Sequence, residues 1–162
     1  MRSAEREVLA AGARELGIDL SAESAETLLK LVDELEQANA QFNLTAIRDR
    51  PGMLRKHVLD SLSVQPYLRG TRIADVGTGA GFPGLALGIV NPQRRFTLIE
   101  ATGKKARFVE QTAARIGCTN VAVVNSRAES LPVRISSSCV AAGARTRSRS
   151  FSATVITVCP QR

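Results

Sequence analysis

The feature that most constrains this chain is a short apolar run that empties into a crowd of glycines. Ile73-Ala74-Asp75-Val76 has the length and composition of a buried strand, and it runs straight into Gly77-Thr78-Gly79-Ala80-Gly81-Phe82-Pro83-Gly84. The apolar stretch 85–90 follows, and Asn91-Pro92 stops it. Strand, glycine turn and helix in that order make a nucleotide-type cradle. The glycines let the backbone approach a ligand, and the helix start presents unpaired N–H groups. A second strand, 96–99, ends at Glu100. That is about 20 residues past the loop, where an acidic side chain can accept hydrogen bonds from ribose hydroxyls.

The pattern continues downstream. Residues 104–116 read as a helix with Ala106, Val109, Ala113 and Ile116 on one face and Gly117 closing it, and 121–124 read as a third strand. Strands alternating with helices predict a parallel α/β sheet. Upstream, the first 70 residues read as helical. Leu28, Leu31, Val32 and Leu35 fall at i, i+3, i+4 and i+7, with Ser21 as N-cap and Glu23 and Glu26 near the positive end of the helix dipole. A second helix is expected from about Met53 to Leu68. The organisation that follows is a helical N-terminal cap (1–70), a Rossmann-like core (71–132) and an atypical basic tail (133–162), with no internal repeat.

Composition excludes several classes. With 44% hydrophobic and 23% charged residues the chain reads as globular. No apolar run approaches the roughly 20 residues of a membrane span. The mixed-charge start is unlike a secretion signal. Three scattered cysteines without a C-x-x-C pair argue against a disulfide framework and a zinc site, so the cytoplasm is the expected compartment. Aromatics at 4% disfavour a base-stacking platform. Of the net charge of +7, five units come from arginines within residues 134–162, which hold no acidic residue.

Two cofactor classes use such a loop. From Gly79, the run Gly79-Ala80-Gly81-Phe82-Pro83-Gly84 fits G-x-G-x-x-G, a dinucleotide fingerprint. From Asp75, it fits D-x-G-x-G-x-G, a pattern of methyltransferases. The dinucleotide fingerprint should begin directly off the strand, yet Gly79 lies beyond the first glycine. An acidic residue two positions before that glycine also favours a cationic methionyl ligand electrostatically. This reading makes Asp75, Gly77, Gly79, Gly81 and Glu100 cofactor-binding candidates and S-adenosylmethionine the expected cofactor. Two alternatives of other classes stay open, an NAD(P)-binding Rossmann oxidoreductase and a non-enzymatic basic RNA-binding protein.

The fuller string, with its Phe82-Pro83-Gly84 ending, resembles the RsmG/GidB family (glucose-inhibited division protein B). Three further segments are similar to family motifs in order and spacing. Asn43-Leu44-Thr45-Ala46-Ile47 resembles N-L-T-A-I, Lys56-His57-Val58-Leu59-Asp60-Ser61-Leu62 resembles K-H-x-x-D-S-L, and Arg127-Ala128-Glu129 resembles R-A-E. The resemblance spans about residues 25–131. It implies a class I methyltransferase fold and methylation of N7 of a guanine in 16S ribosomal RNA. Carried over by position, it implies cofactor contacts at Gly77, Phe82, Ala128 and Glu129. Asn43, Thr45, His57 and Asp60 become candidates for lining the pocket or orienting the cap, where otherwise His57 and Asp60 are an ordinary pair on one helix face. Arg48, Arg50, Arg55 and Lys56, and separately Lys104, Lys105 and Arg107, form clusters able to meet phosphates. No catalytic side chain or metal ligand is singled out. The expected partner is 16S ribosomal RNA or a small-subunit assembly intermediate, and the expected state a monomer.

Past Pro132 the expected fourth strand, with the family's F-D-x-V pattern, is not legible, so the chain reads as the N-terminal two-thirds of such a protein. The Ser- and Arg-rich tail reads as an out-of-frame product rather than an RS-type RNA-binding segment. From this follow several expectations: a disordered or poorly packed tail, Thr154–Val158 as one isolated strand, an exposed edge on the central strand, and weak cofactor binding and little methylation by this chain.

Overall fold

The computed structural model describes residues 2–127 and 130, together with the backbone of strands at 137–139 and 153–157. Helix α1 (Arg2–Glu15) precedes α2 (Ala22–Phe42), which starts where Ser21 Oγ accepts the Ser24 N–H at 3.0 Å. The apolar stripe of α2 is turned inward: Leu28, Leu31, Val32 and Leu35 are all fully buried. The helix ends at Asn43 in the left-handed conformation, its N–H donated to Asn39 O.

The second expected helix is more complex than its sequence suggests. It begins at α3 (Arg50–Met53), where Asp49 Oδ1 caps the Gly52 N–H at 2.7 Å and Pro51 sits in the first turn. It continues through a π-helical turn over Leu54–Leu59 into α4 (Asp60–Leu62). It stops there rather than near Leu68. Pro66 has no N–H for an α ladder and disfavours the α region at Gln65, so a 3-10 turn over Gln65–Tyr67 follows.

Strands β1 (Arg72–Val76), β2 (Arg95–Glu100) and β3 (Val121–Asn125) are connected by α5 (Gly84–Val90) and α6 (Gly103–Arg115). Two short strands, β4 (Ser137–Cys139) and β5 (Ala153–Thr157), extend the sheet, whose order is β3-β2-β1-β5-β4 with every pair parallel. The expected exposed edge on the central strand is therefore not found. β5 pairs with all of β1, from Arg72↔Ala153 to Val76↔Thr157, so it is no isolated strand either. The physical reason is twofold: Thr154, Val155, Ile156 and Thr157 are all β-branched, and the backbone groups of β1 require partners. The expected disorder of the remaining tail lies outside the described residues.

One apolar core joins the helices to the sheet. Leu28, Leu31, Leu35, Val58 and Leu62 cluster with Leu85, Leu87, Phe96 and Leu98. A polar clamp closes the outer side of the helices. Arg50, on α3, hydrogen-bonds Glu5 of α1 and pairs with Asp33 at 2.8 Å and Glu36 at 2.9 Å on α2. Its side chain is only 15% exposed, and the Glu5 hydrogen bond is the main influence raising its pKa further above the ordinary arginine value. Arg50 is thereby committed to the fold, and the phosphate-binding role expected from its cluster does not hold. Among the described residues no helix is long and apolar enough to cross a membrane.

Replacing Arg50 removes the ion pair of the largely buried Glu5, whereas Asp33 keeps Arg2 and Glu36 faces solvent. Arg50→Ala should lower unfolding stability by about 2–4 kcal/mol, read as a shift of the urea midpoint, since breaking a largely buried pair strands its partner. An unchanged midpoint would show that the clamp contributes nothing.

Candidate functional site

The site begins with a carboxylate that the loop cannot do without. Asp75, near the end of β1, is fully buried, and its Oδ2 accepts from Thr78 Oγ1 at 2.6 Å and from the Gly84 N–H at 2.9 Å. One oxygen thus draws both ends of the glycine turn together. A side chain at Gly84 would put its Cβ 2.6 Å from that same oxygen and 2.7 Å from Leu98, so only glycine permits the approach. Asp75 Oδ1 is buried and has no partner among the described residues. Burial pushes the Asp75 carboxyl up to about 6, against the opposing hydrogen bonds from Thr78 and Gly84, and the charge of Glu100 adds to the rise.

Between those ends the backbone turns through positive φ at Gly77, Gly79 and Gly81. Gly77 and Gly79 border a cavity of 420 Å³, and nothing lies within 4 Å of where their Cβ atoms would stand. Gly81 is different. It does not line the cavity, and its missing Cβ makes room for Leu85. Glu100, 7% exposed at the C-terminal end of β2, faces the loop as its sequence position suggests. Its Oε2 accepts the Gly79 N–H at 2.8 Å, and its Oε1 accepts the Thr102 N–H at 2.9 Å. Each oxygen keeps a lone pair for a hydroxyl donor.

The helical segment supplies the opposite wall. Asn39, buried on α2, accepts the Thr45 N–H at 2.8 Å and donates to Ile47 O at 3.3 Å, pinning the loop after α2. Thr45 Oγ1 then lies 2.8 Å from His57 Nε2, and the His57 ring stacks on Phe82 with centroids 5.1 Å apart. His57 comes from the π-helical turn, a feature frequent at functional sites. Burial lowers its pKa, only partly countered by the nearby charge of Asp60. Two sequence motifs and the glycine loop therefore meet at one point, with Lys56, Asp60 and Lys105 on the same cavity wall.

Other candidates fall elsewhere. Asn43 caps α2, and its Oδ1 accepts from Arg48 at 2.8 Å. Lys104 sits over the Phe42 ring, 4.6 Å from its centroid. Arg55 is exposed and does not line the cavity. Ala128 and Glu129 lie outside the described residues. Sequence reasoning missed Asn39, Thr78 and Ser61. Asn39 had a signal: it stands four residues after Leu35, a polar residue on the buried stripe of α2. Thr78 was within the loop but unremarkable without Asp75 beneath it. Ser61, lining the cavity, carried no signal beyond its motif.

The chain is similar in sequence to known proteins over most of its length. The sequence model of the family GidB, rRNA small subunit methyltransferase G, matches residues 24–158, so the likeness extends past Pro132, where the sequence reading ended it. A ribosomal RNA small subunit methyltransferase G of Marinomonas sp. is 48% identical over 118 residues, covering 73% of this chain and 57% of that protein. Its namesake in Pseudomonas syringae pv. syringae is 47% identical over 122 residues, covering 75% and 57%. The chain thus spans a little over half the length of these relatives. Among solved structures, a mutant of MtNAS in complex with S-adenosylmethionine has a TM-score of 0.40 at 17% identity, covering 78% of this chain and 45% of that chain, a likeness too loose to bear on the fold.

The elevated Asp75 pKa has a consequence for stability. The folded state holds this proton up to about pH 6, whereas the unfolded chain releases it near 3.8. Stability from this group is therefore present below pH 4 and is lost as pH rises towards 6. Asp75→Asn should abolish that decline, on the order of 1–3 kcal/mol. The difference between the two proteins isolates it from Glu26, whose pKa is lowered and whose linkage has the opposite sign. Parallel stability profiles from pH 4 to 6 would contradict the assignment.

Proposed function

The chain belongs to the rRNA small subunit methyltransferase G family, and on that premise we propose that it is an S-adenosylmethionine-dependent methyltransferase acting on N7 of a guanine in 16S ribosomal RNA. The observation that carries the cofactor assignment is the hydrogen bond from the Gly84 N–H to Asp75 Oδ2. Gly84 opens α5, and in a dinucleotide site this helix start would meet a pyrophosphate. Here a carboxylate already occupies it, which repels phosphate and favours a cation. The unpartnered Asp75 Oδ1, the open faces of Gly77 and Gly79 and the acceptor oxygens of Glu100 fit a nucleoside bearing positive charge and ribose hydroxyls.

In this reading Gly77, Gly79 and Phe82 border the methionyl end, Asp75 acts on its charge from beneath the loop, and Glu100 takes the ribose. Gly81 serves by admitting Leu85. The family resemblance assigns Ala128 and Glu129 to the adenine edge. When bound, S-adenosylmethionine supplies a sulfonium methyl that guanine N7 attacks with its in-plane lone pair, the S–C bonding electrons leaving on sulfur. No proton has to be removed, so the chain needs no general base. Its task is orientation, which the stacked His57–Phe82 pair and the pinned loop around Thr45 serve by fixing the cavity wall. Lys56 and Lys105 in the cavity, with Arg48, Arg55 and Lys104 outside its lining, are the proposed phosphate contacts. A ribosomal RNA partner puts the protein in the cytoplasm, and a monomer suffices for this chemistry.

Titration calorimetry should give saturable binding of S-adenosylmethionine and none of NAD at the same concentrations. Glu100→Ala should weaken the former about 10- to 100-fold, the loss expected for hydrogen bonds to a charged acceptor. Tighter binding of NAD would overturn the cofactor assignment. Mass spectrometry of 16S RNA from a strain lacking the gene should show one 7-methylguanine missing, and persistence of that mark would refute the substrate.

A further inference from the structure

The cavity holds one group that neither the cofactor nor RNA phosphates explain. Asp60 lines the same 420 Å³ space as Lys56, Lys105 and the glycine loop. Its carboxylate forms no hydrogen bond or ion pair within the described residues. An anion here repels phosphate and is not needed to hold the turn, since its backbone already bonds into the helix. Asp60 is exposed at the cavity, where its carboxylate is available to N–H donors of an incoming base. Among the RNA bases, guanine alone presents two adjacent donors on one edge, N1–H and the N2 amino group, matching the two oxygens of a carboxylate. Adenine and cytosine set an amino group beside an acceptor nitrogen, and uracil sets one N–H between two carbonyls.

The neighbouring histidine adds the complementary half. Thr45 Oγ1 accepts the Ile47 N–H at 3.2 Å and lies 2.8 Å from His57 Nε2, so Thr45 engages one ring nitrogen and leaves Nδ1 for another partner. Burial favours the neutral ring, and in the tautomer whose Nε2 accepts from Thr45 the proton is on Nδ1. A neutral His57 thus keeps one N–H donor. Guanine O6 lies between N1 and N7 on the base perimeter and is an acceptor only.

Resting on the function proposed above, we propose that Asp60 and His57 select the target base, the Asp60 carboxylate taking N1–H and N2–H of guanine while His57 Nδ1–H donates to O6. Both residues stand on one helical segment at i and i+3, so a single rigid element reads the base. The arrangement also suits the product, because methylation at N7 leaves the base cationic and Asp60 is then an opposite charge beside it.

The test compares guanosine 5′-monophosphate with inosine 5′-monophosphate, which lacks only the N2 amino group. Binding is followed by NMR chemical-shift titration of the full chain saturated with S-adenosylhomocysteine, so that the cofactor half of the cavity is filled. The wild-type chain should bind the guanosine nucleotide at least about tenfold more tightly, the worth of one hydrogen bond to a charged acceptor. Asp60→Asn and Asp60→Ala should each bring the two nucleotides to parity. A role confined to helix structure would leave the ratio unchanged in both variants, which would overturn the inference, as would equal binding of both nucleotides by the wild type. The saturation step reports separately on the underlying reading. S-adenosylhomocysteine binding without guanosine preference refutes only the base-reading role, whereas failure to bind it refutes both.

Discussion

The arrangement depends on one buried oxygen. Asp75 Oδ2 ties Thr78 to Gly84, drawing together the two ends of the glycine turn that borders the cavity, while Ile99 O and Glu100 hold its middle. Its neighbours answer to this contact: Gly84 must lack a side chain, and Glu100 must approach Gly79 from the adjacent strand. A buried carboxylate accepting two hydrogen bonds among the described residues is costly, as its raised pKa records. That cost has a purpose if the loop is to meet a cation, because the field of an uncompensated anion is strongest where water is excluded.

The second constraint comes from the helices. Asn39 pins the Thr45 loop, Thr45 holds His57, and His57 stacks on Phe82 of the glycine loop. Each contact passes orientation from the rigid α2 to the mouth of the nucleotide turn. The shared apolar core makes this rigid, since Leu28, Leu35 and Val58 pack in the same cluster as Leu85 and Phe96. Arg50 locks the outer face of the same helices with three carboxylates. A cavity wall built on packed helices holds its groups with less conformational loss than one built on a loop.

The backbone plan was legible because its signals are local. The strand into the glycines, the α2 stripe, the Ser21 cap and the Glu100 strand end all depend on residues within a turn or two of one another. What escaped depended on distant partners. Arg50 looked like a member of a basic cluster because its acidic partners, Glu5, Asp33 and Glu36, lie on other helices. The pairing of β5 with β1 was hidden because a β-branched run does not announce which strand it will meet. The π-helical turn that carries His57 has no distinguishing periodicity over six residues. Gly81 belonged to the correct motif but serves packing against Leu85 rather than the cavity.

The proposed action of Asp75 from beneath the loop on a positively charged ligand is tested most directly by proton linkage. At pH 6 the buried carboxyl of the free protein is about half protonated. A cation bound above it lowers its pKa, so S-adenosylmethionine binding should release a fraction of a proton, about half at most. Calorimetry in two buffers of different ionisation enthalpy measures that number. Proton release by the wild-type chain that disappears in Asp75→Asn is the predicted result. Binding with no proton exchange, or with proton uptake, would contradict it.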